Sequence, residues 1–342
     1  MKAAVLEVID APLTVSEVGL GDVCAGQVLV KMKVSGICGA QLLEIGGHKG
    51  NAAFVPHLLG HEGCGIIEQV GEGVTTVSVG DKVVLHWRKG AGLESDFPAY
   101  EFKGKEIRSG KLTTFSEYTI VSENRVTAVP HDTPDDLCAL LGCGLSTALG
   151  AVLAAAKVHA GESVLVSGLG GLGACAVKAA RLVGSGVVIC TDVADKTDMA
   201  ATLKADRFIN VTKEDARAIV TTLCPKGVDV IIETSGSSRA SESLLPLLAG
   251  SGRFVMIGQP KPGESLTIEN AKQLFDGEGK TIMATQGGGF QPHVDIPRYI
   301  EMYKEGRLSI DGLITHRVAL QDINTAIDLM RTGKANRIMI DL

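Results

Sequence analysis

The stretch Ser163–Ser167 (SVLVS) runs directly into Gly168–Gly173 (GLGGLG), and an alanine-rich segment follows. The apolar run has the length of one buried strand, and the alanine-rich part has the pattern of a helix. Each glycine has a separate physical task. Gly168 permits the sharp turn out of the strand. Gly170 lets backbone approach a pyrophosphate, and Gly173 lets helix pack closely on strand. Gly171 and Leu172 lie at the helix start, where free N–H groups and partial positive charge favour phosphate. A second apolar run, Val187–Thr191, leads into Asp192 at about the 20-residue distance expected of a ribose-binding acid. Its carboxylate would accept hydrogen bonds from the ribose hydroxyls and repel a 2′-phosphate, so NAD is the expected cofactor. The competing reading is a glycine turn in a protein that binds no nucleotide. A preceding strand, a following helix and the second strand with its terminal acid tell against it.

Outward from this stretch the alternation continues. Ala194–Leu203 and Ser241–Leu248 read as helices, and Val228–Glu233, Arg253–Ile257 and Thr281–Thr285 read as strands. Such alternation predicts a doubly wound parallel sheet. Residues 1–130 differ: short valine-rich runs such as Val28–Val34, Gly65–Val70 and Lys82–His86 are separated by glycine-containing turns, which reads as β-rich. The texture changes near Pro130, and Leu137–Lys157 looks helical. The tail carries helical patterns at Ile296–Glu305 and Leu320–Thr332 and ends in the strand Arg337–Asp341. The expected chain is therefore α/β. A β-rich catalytic domain spans 1–145 and is completed by about 290–342, and a Rossmann cofactor domain spans 146–289.

The bulk properties set limits. The 342 residues suggest about two domains. A hydrophobic fraction of 45% with 21% charge is globular. A net charge of −6 and the lack of any basic run exclude a nucleic-acid surface. No run of about 18 apolar residues exists, so no membrane span is expected. The start, MKAAVLEV, reads as a strand rather than a secretory signal. The eight cysteines are scattered through apolar segments, which suggests reduced thiols and a cytoplasmic setting.

Four residues suggest a metal. Cys38 sits in GICG, His61 and Glu62 in GHEGCG, and Cys143 in LGCG. Two thiolates and one imidazole leave a fourth tetrahedral position open, as catalytic zinc requires. Each residue alone is unconvincing. Cys64, Cys175 and Cys190 read as small core residues, and His48, His57 and His86 are equally available histidines. The gaps between Cys38, His61 and Cys143 are too long for spacing alone to assemble a site.

The order GIC, GHEGCG, GCGLSTA and GLGGLG resembles the zinc-containing medium-chain alcohol dehydrogenases. The resemblance extends over essentially the whole chain and includes Gly80–Val83, Phe115–Tyr118 and Ile314–His316. It implies a GroES-like catalytic domain beside the Rossmann domain, one catalytic zinc per chain, NAD, a small alcohol or carbonyl substrate, and assembly as a homodimer or homotetramer. Residue by residue it implies Cys38, His61 and Cys143 as zinc ligands and Glu62 as an acid able to approach the metal. It implies Thr147 near the nicotinamide, Arg337 on the pyrophosphate, and Trp87 with position 40 in the substrate pocket. The competing local reading of Arg337 is a surface cation, and that of Trp87 is plain core.

Two departures follow. Many relatives carry a four-cysteine structural zinc after the GDKV segment. Trp87–Tyr118 contains no cysteine, so no structural zinc is expected. Relatives also place a hydroxyl and then an acid after the first zinc cysteine, where this chain has Ala40 and Gln41. The usual proton relay then lacks its hydroxyl, and Leu43 stands where some relatives carry a relay histidine. Glu62 is the preferred substitute, and a hydroxyl of the substrate itself is the other. The pair Arg88 and Lys89 hints at an anionic substrate group, although solvated loop charges are the favoured reading. Alternatives for the whole chain are a polyol or sugar-derived alcohol dehydrogenase, or a disused dehydrogenase fold that serves as a binding protein. Retention of Cys38, His61 and Cys143 tells against disuse.

Overall fold

The computed structural model describes the backbone of residues 1–342 and all side chains except those of residues 51 and 52. The chain divides into two compact units. One comprises Met1–Gly144, Gln291–Met302 and Ile314–Leu342, and the other Leu145–Phe290 and Tyr303–Leu313. Residues 303–313 thus group with the cofactor unit rather than with the catalytic unit expected for the whole tail. There Gly312 packs against the Thr202 side chain.

The first unit is built on a seven-stranded sheet. In spatial order it runs Val126–Ala128, Lys82–His86, Glu62–Val70, Gln27–Ile37, Arg337–Asp341 and Ile314–Ala319, with Tyr118–Ser122 also paired to Gln27–Ile37. The terminal strand Arg337–Asp341 lies antiparallel to Gln27–Ile37, with Ile338 opposite Ile37 and Ile340 opposite Ser35. The pairing is stabilised by a core in which Ile37, Ile338 and Ile340 meet Ile323, Ala326 and Ile327. The last three share one face of the helix Ile323–Arg331, at the spacing that makes a helix amphipathic. The segment after Trp87 contains the hairpin Tyr100–Phe102 and Lys105–Ile107. Lys103 and Gly104 both have positive φ, as a two-residue turn with the right twist requires.

The second unit holds a six-stranded parallel sheet in the order Arg207–Asn210, Val188–Asp192, Val164–Ser167, Val228–Glu233, Leu248–Met256 and Thr281–Ala284. The chain starts in the middle, winds outward to one side, and crosses back to fill the other. That reversal beside Val164–Ser167 opens a crevice at the strands' carboxyl ends, where such sheets bind ligands. Val164, Leu165 and Val166 are fully buried, consistent with a strand covered on both faces.

The pattern read as one helix over 137–157 is broken. It forms Asp135–Leu141, Gly144–Gly150 and a π-type turn at Ala151–Ala155. The break has a steric cause. A Cβ on Gly142 would overlap the Leu85 carbonyl oxygen and come within 2.9 Å of the Glu62 Cα. The chain presses against the sheet here, and Cys143 is held at the break. No single helix among the described residues is long and apolar enough to cross a membrane.

Candidate functional site

Three segments deliver Cys38, His61 and Cys143. Cys38 follows the strand Gln27–Ile37 and is the N-cap of the helix Gly39–Ile45. His61 immediately precedes the strand Glu62–Val70, which pairs antiparallel with Gln27–Ile37 so that Gly63 lies opposite Ser35. Cys143 occupies the helix break. Their ligand atoms all lie within 4.8 Å of one another, and the two sulfurs are 4.0 Å apart. Tetrahedral zinc with metal–sulfur bonds of about 2.3 Å sets its sulfurs about 3.8 Å apart. The donor set and its spacing therefore fit a zinc ion.

The electrostatics of the cluster favour charge separation. The Cys38 thiol is held well below the usual thiol range, chiefly because Cys143 hydrogen-bonds to it, with His61 assisting against the cost of burial. Cys143, as the donor of that pair, is pushed up. Burial disfavours the His61 imidazolium, but Cys38 outweighs it and lifts the pKa.

Glu62 lies outside this ligand group. It is completely buried, its Oε1 is ion-paired with the Arg337 guanidinium, and its Oε2 accepts from the Gly144 N–H at 3.3 Å. Burial raises its pKa and Arg337 opposes the rise. These partners compensate the desolvation of the Glu62 carboxylate, the acid that the resemblance sets beside the metal. Arg337 is not a surface cation. It begins the last strand at 2% exposure with its guanidinium against Glu62, and a Cβ on Gly144 would lie 3.0 Å from its Nη1.

Gln41 occupies the place of the absent acid. Its Nε2 is 2.6 Å from His61 Nδ1 and 3.1 Å from Glu44 Oε2, and its Oε1 accepts from the Gly60 N–H at 2.9 Å. The sequence flags Gln41 only as a missing acid. Glu44, one helical turn on and on the same face, is the signal that was overlooked. Ala40 is half-buried in the same helix and has no hydroxyl to offer. Trp87 is half-buried, its carbonyl accepts from Arg125, and the Arg88 guanidinium lies 5.5 Å from its ring centroid. Lys89 pairs with Glu94 at 3.2 Å, in keeping with a loop charge rather than an anion receptor.

The segment after Trp87 is fastened by two carboxylates. Glu94 meets Lys89, Lys111 at 3.8 Å, Arg125 at 3.3 Å and the Asn124 amide at 2.9 Å. Glu123, fully buried, accepts from the backbone N–H groups of Thr75 and Thr76 at 2.6 Å and Leu93 at 2.7 Å. These contacts tie 75–76, 92–94 and 123–125 together without a thiol.

In the second unit the glycine loop and its acid adjoin. Gly168 has φ +84°, and a Cβ there would crowd Ser235 at 2.9 Å. A Cβ on Gly173 would overlap the Gly168 carbonyl oxygen. Gly170 is exposed with nothing within 4 Å, so its backbone is open to a ligand. Gly171 and Leu172 open the helix Gly171–Leu182. Asp192 accepts from the Leu169 N–H at 2.7 Å and the Ala194 N–H at 2.9 Å, which orients it over the loop. Thr147 is buried in Gly144–Gly150, and its carbonyl would be overlapped by a Cβ on Gly288.

Comparison with known proteins agrees with this geometry. Residues 24–131 match the alcohol dehydrogenase GroES-like domain, and 171–305 match the zinc-binding dehydrogenase domain. The S-(hydroxymethyl)glutathione dehydrogenase of Synechocystis is 31% identical over 99% of both chains. The chain belongs to the zinc-containing medium-chain alcohol dehydrogenase family. Alcohol dehydrogenase 6 of Peromyscus maniculatus is also 31% identical, over 99% of this chain and 97% of its own. Among solved structures, the benzyl alcohol dehydrogenase of Acinetobacter calcoaceticus superposes with a TM-score of 0.89 at 26% identity, covering 100% of this chain and 99% of that one.

Proposed function

We propose that the chain transfers hydride between an alcohol and NAD, using one zinc held by Cys38, His61 and Cys143. The observation that carries this is the convergence of three ligand atoms from distant segments within 4.8 Å. A zinc ion bound there would supply a Lewis acid for the substrate oxygen. The protein's own residues do the rest. Gly168–Gly173 offers free backbone N–H groups to the pyrophosphate. Asp192 retains lone pairs for ribose hydroxyls while two backbone N–H groups fix it, and its charge disfavours a 2′-phosphate. Thr147 and Trp87 border the nicotinamide and substrate respectively.

The proton requires a route that Ala40 does not supply. Glu62 is held in a buried ion pair with the Arg337 guanidinium, which it would have to give up to carry the proton. This observation favours a substrate that brings its own second hydroxyl, such as a diol, a polyol or a hydroxy acid. The test is NAD reduction by the purified protein across simple alcohols, diols, polyols and hydroxy acids, with metal content measured on the same sample. Faster turnover of substrates with an adjacent hydroxyl is expected. Failure of every alcohol, although zinc and NAD both bind, would overturn the enzymatic reading.

A further inference from the structure

The peptide that joins Gly168 to Leu169 is held from both sides. Its N–H donates to the Asp192 carboxylate at 2.7 Å. Its carbonyl accepts from the Thr234 hydroxyl at 2.7 Å, and the same hydroxyl lies 2.8 Å from the Ser167 carbonyl oxygen. Thr234 follows Glu233, which lies opposite Ser167 where the strands Val164–Ser167 and Val228–Glu233 pair. The Thr234 backbone N–H also donates to the Ser167 carbonyl, at 2.9 Å. The turn that carries Thr234 is itself fastened. The buried Glu233 carboxylate accepts from the Ser235 N–H at 2.7 Å and the Gly236 N–H at 3.1 Å. The Glu233 carbonyl accepts from the N–H groups of Ile257 at 2.9 Å and Gly258 at 3.0 Å.

The direction of the Gly168 carbonyl matters electrostatically. A pyrophosphate is drawn to backbone N–H groups and repelled by a carbonyl oxygen turned toward it. Glycine at 168 leaves the peptide wide conformational freedom and no side chain to steady it. Thr234 supplies the hold. A Cβ on Gly173 would meet the Gly168 oxygen at 1.9 Å and Thr234 Oγ1 at 3.0 Å, so that oxygen is enclosed between the helix Gly171–Leu182 and the hydroxyl. We propose that Thr234 is a positioning residue of the dinucleotide site. Its hydroxyl keeps the Gly168 carbonyl away from the pyrophosphate and, through the same peptide, presents the Leu169 N–H to Asp192. The phosphate loop and the ribose acid are thereby coupled through one peptide plane.

This inference rests on the NAD reading proposed above, and the test separates the two. Thr234→Val keeps the shape of the side chain and removes its donor. Thr234→Ala removes the donor without adding a methyl group, and Thr234→Ser keeps the donor. Binding of adenosine, ADP-ribose and NADH to the full chain is measured by calorimetry, beside the urea midpoint of each variant. ADP-ribose and NADH should bind about threefold to tenfold more weakly to the Val and Ala variants, the scale of one hydrogen bond. Adenosine, which has the ribose hydroxyls but no phosphate, should bind nearly as to the wild type, and Thr234→Ser should bind all three as the wild type does. ADP-ribose affinity unchanged in both variants overturns the role. So does an equal weakening of all three probes with a lowered midpoint, which would make Thr234 a tie between strand ends and nothing more. A wild-type chain that binds neither ADP-ribose nor NADH would overturn the NAD reading, and this role with it.

Discussion

Glu62 and Arg337 form a buried ion pair, at 0% and 2% exposure, across 275 residues of sequence. Removing one partner of such a pair leaves the other charge unpaired in a dry interior. Arg337→Met should destabilise the chain by about 3–5 kcal/mol, read as a shift in the urea midpoint. Glu62→Gln should cost less, because an amide still accepts from the guanidinium. Equal and small losses for both variants would show the pair to be incidental.

The same pairing bears on turnover. With zinc retained, Glu62→Gln should leave the rate on the best substrate within a small factor. A loss of tenfold or more, the scale of positioned acid–base catalysis, would restore Glu62 as the proton carrier.

Ala40→Ser supplies the missing hydroxyl at a half-buried position. It should be tolerated or mildly activating toward simple alcohols, with less change for substrates that carry a second hydroxyl. Steady-state rates on an alcohol and its vicinal diol check this, and equal effects on both would refute substrate assistance.

Metal analysis should find close to one zinc per chain, and Cys143→Ser should remove it while NAD still binds. Two zincs per chain would contradict the proposal. At the cofactor end, Asp192→Gly should narrow the preference for NAD over NADP. It should also loosen the loop, since two backbone N–H groups lose their acceptor.

Acid sensitivity follows from two groups. Burial pushes the Glu94 carboxyl up, but Asn124, Lys89 and Arg125 outweigh it and hold it at about 2 against an ordinary 4.5. Burial lowers His86 to about 4 from 6.5, against hydrogen bonds to Arg88 and Val126. Both folded values lie below the ordinary ones. Their stabilisation is therefore complete above the ordinary values and is lost as pH falls, between 6.5 and 4 for His86 and between 4.5 and 2 for Glu94. The melting temperature should drop in both windows. Glu94→Gln should lower stability at neutral pH and flatten the lower window.

What the sequence makes legible depends on how local the cause is. The glycine loop, its strand and Asp192 are readable because turn, helix start and acid lie within one βαβ unit. Cys38, His61 and Cys143 become a set only through the resemblance, since their meeting depends on sheet pairing between distant segments. The Arg337–Glu62 pair is hidden for a related reason: nothing near Arg337 in sequence reveals that Glu62 faces it. The ties of Glu94 and Glu123 are invisible because each joins three segments. The break at Cys143 escapes because it arises from the sheet beneath Gly142, not from helix propensity.

The carboxylate fastening of the segment after Trp87 has a chemical consequence. Four clustered thiolates are an oxidisable target, and their loss to disulfide or sulfinate would release the metal and the lobe together. Carboxylates paired with Lys89, Lys111 and Arg125 undergo no such reaction. Peroxide should therefore inactivate this chain only through Cys38 and Cys143, leaving the lobe ordered around an emptied centre.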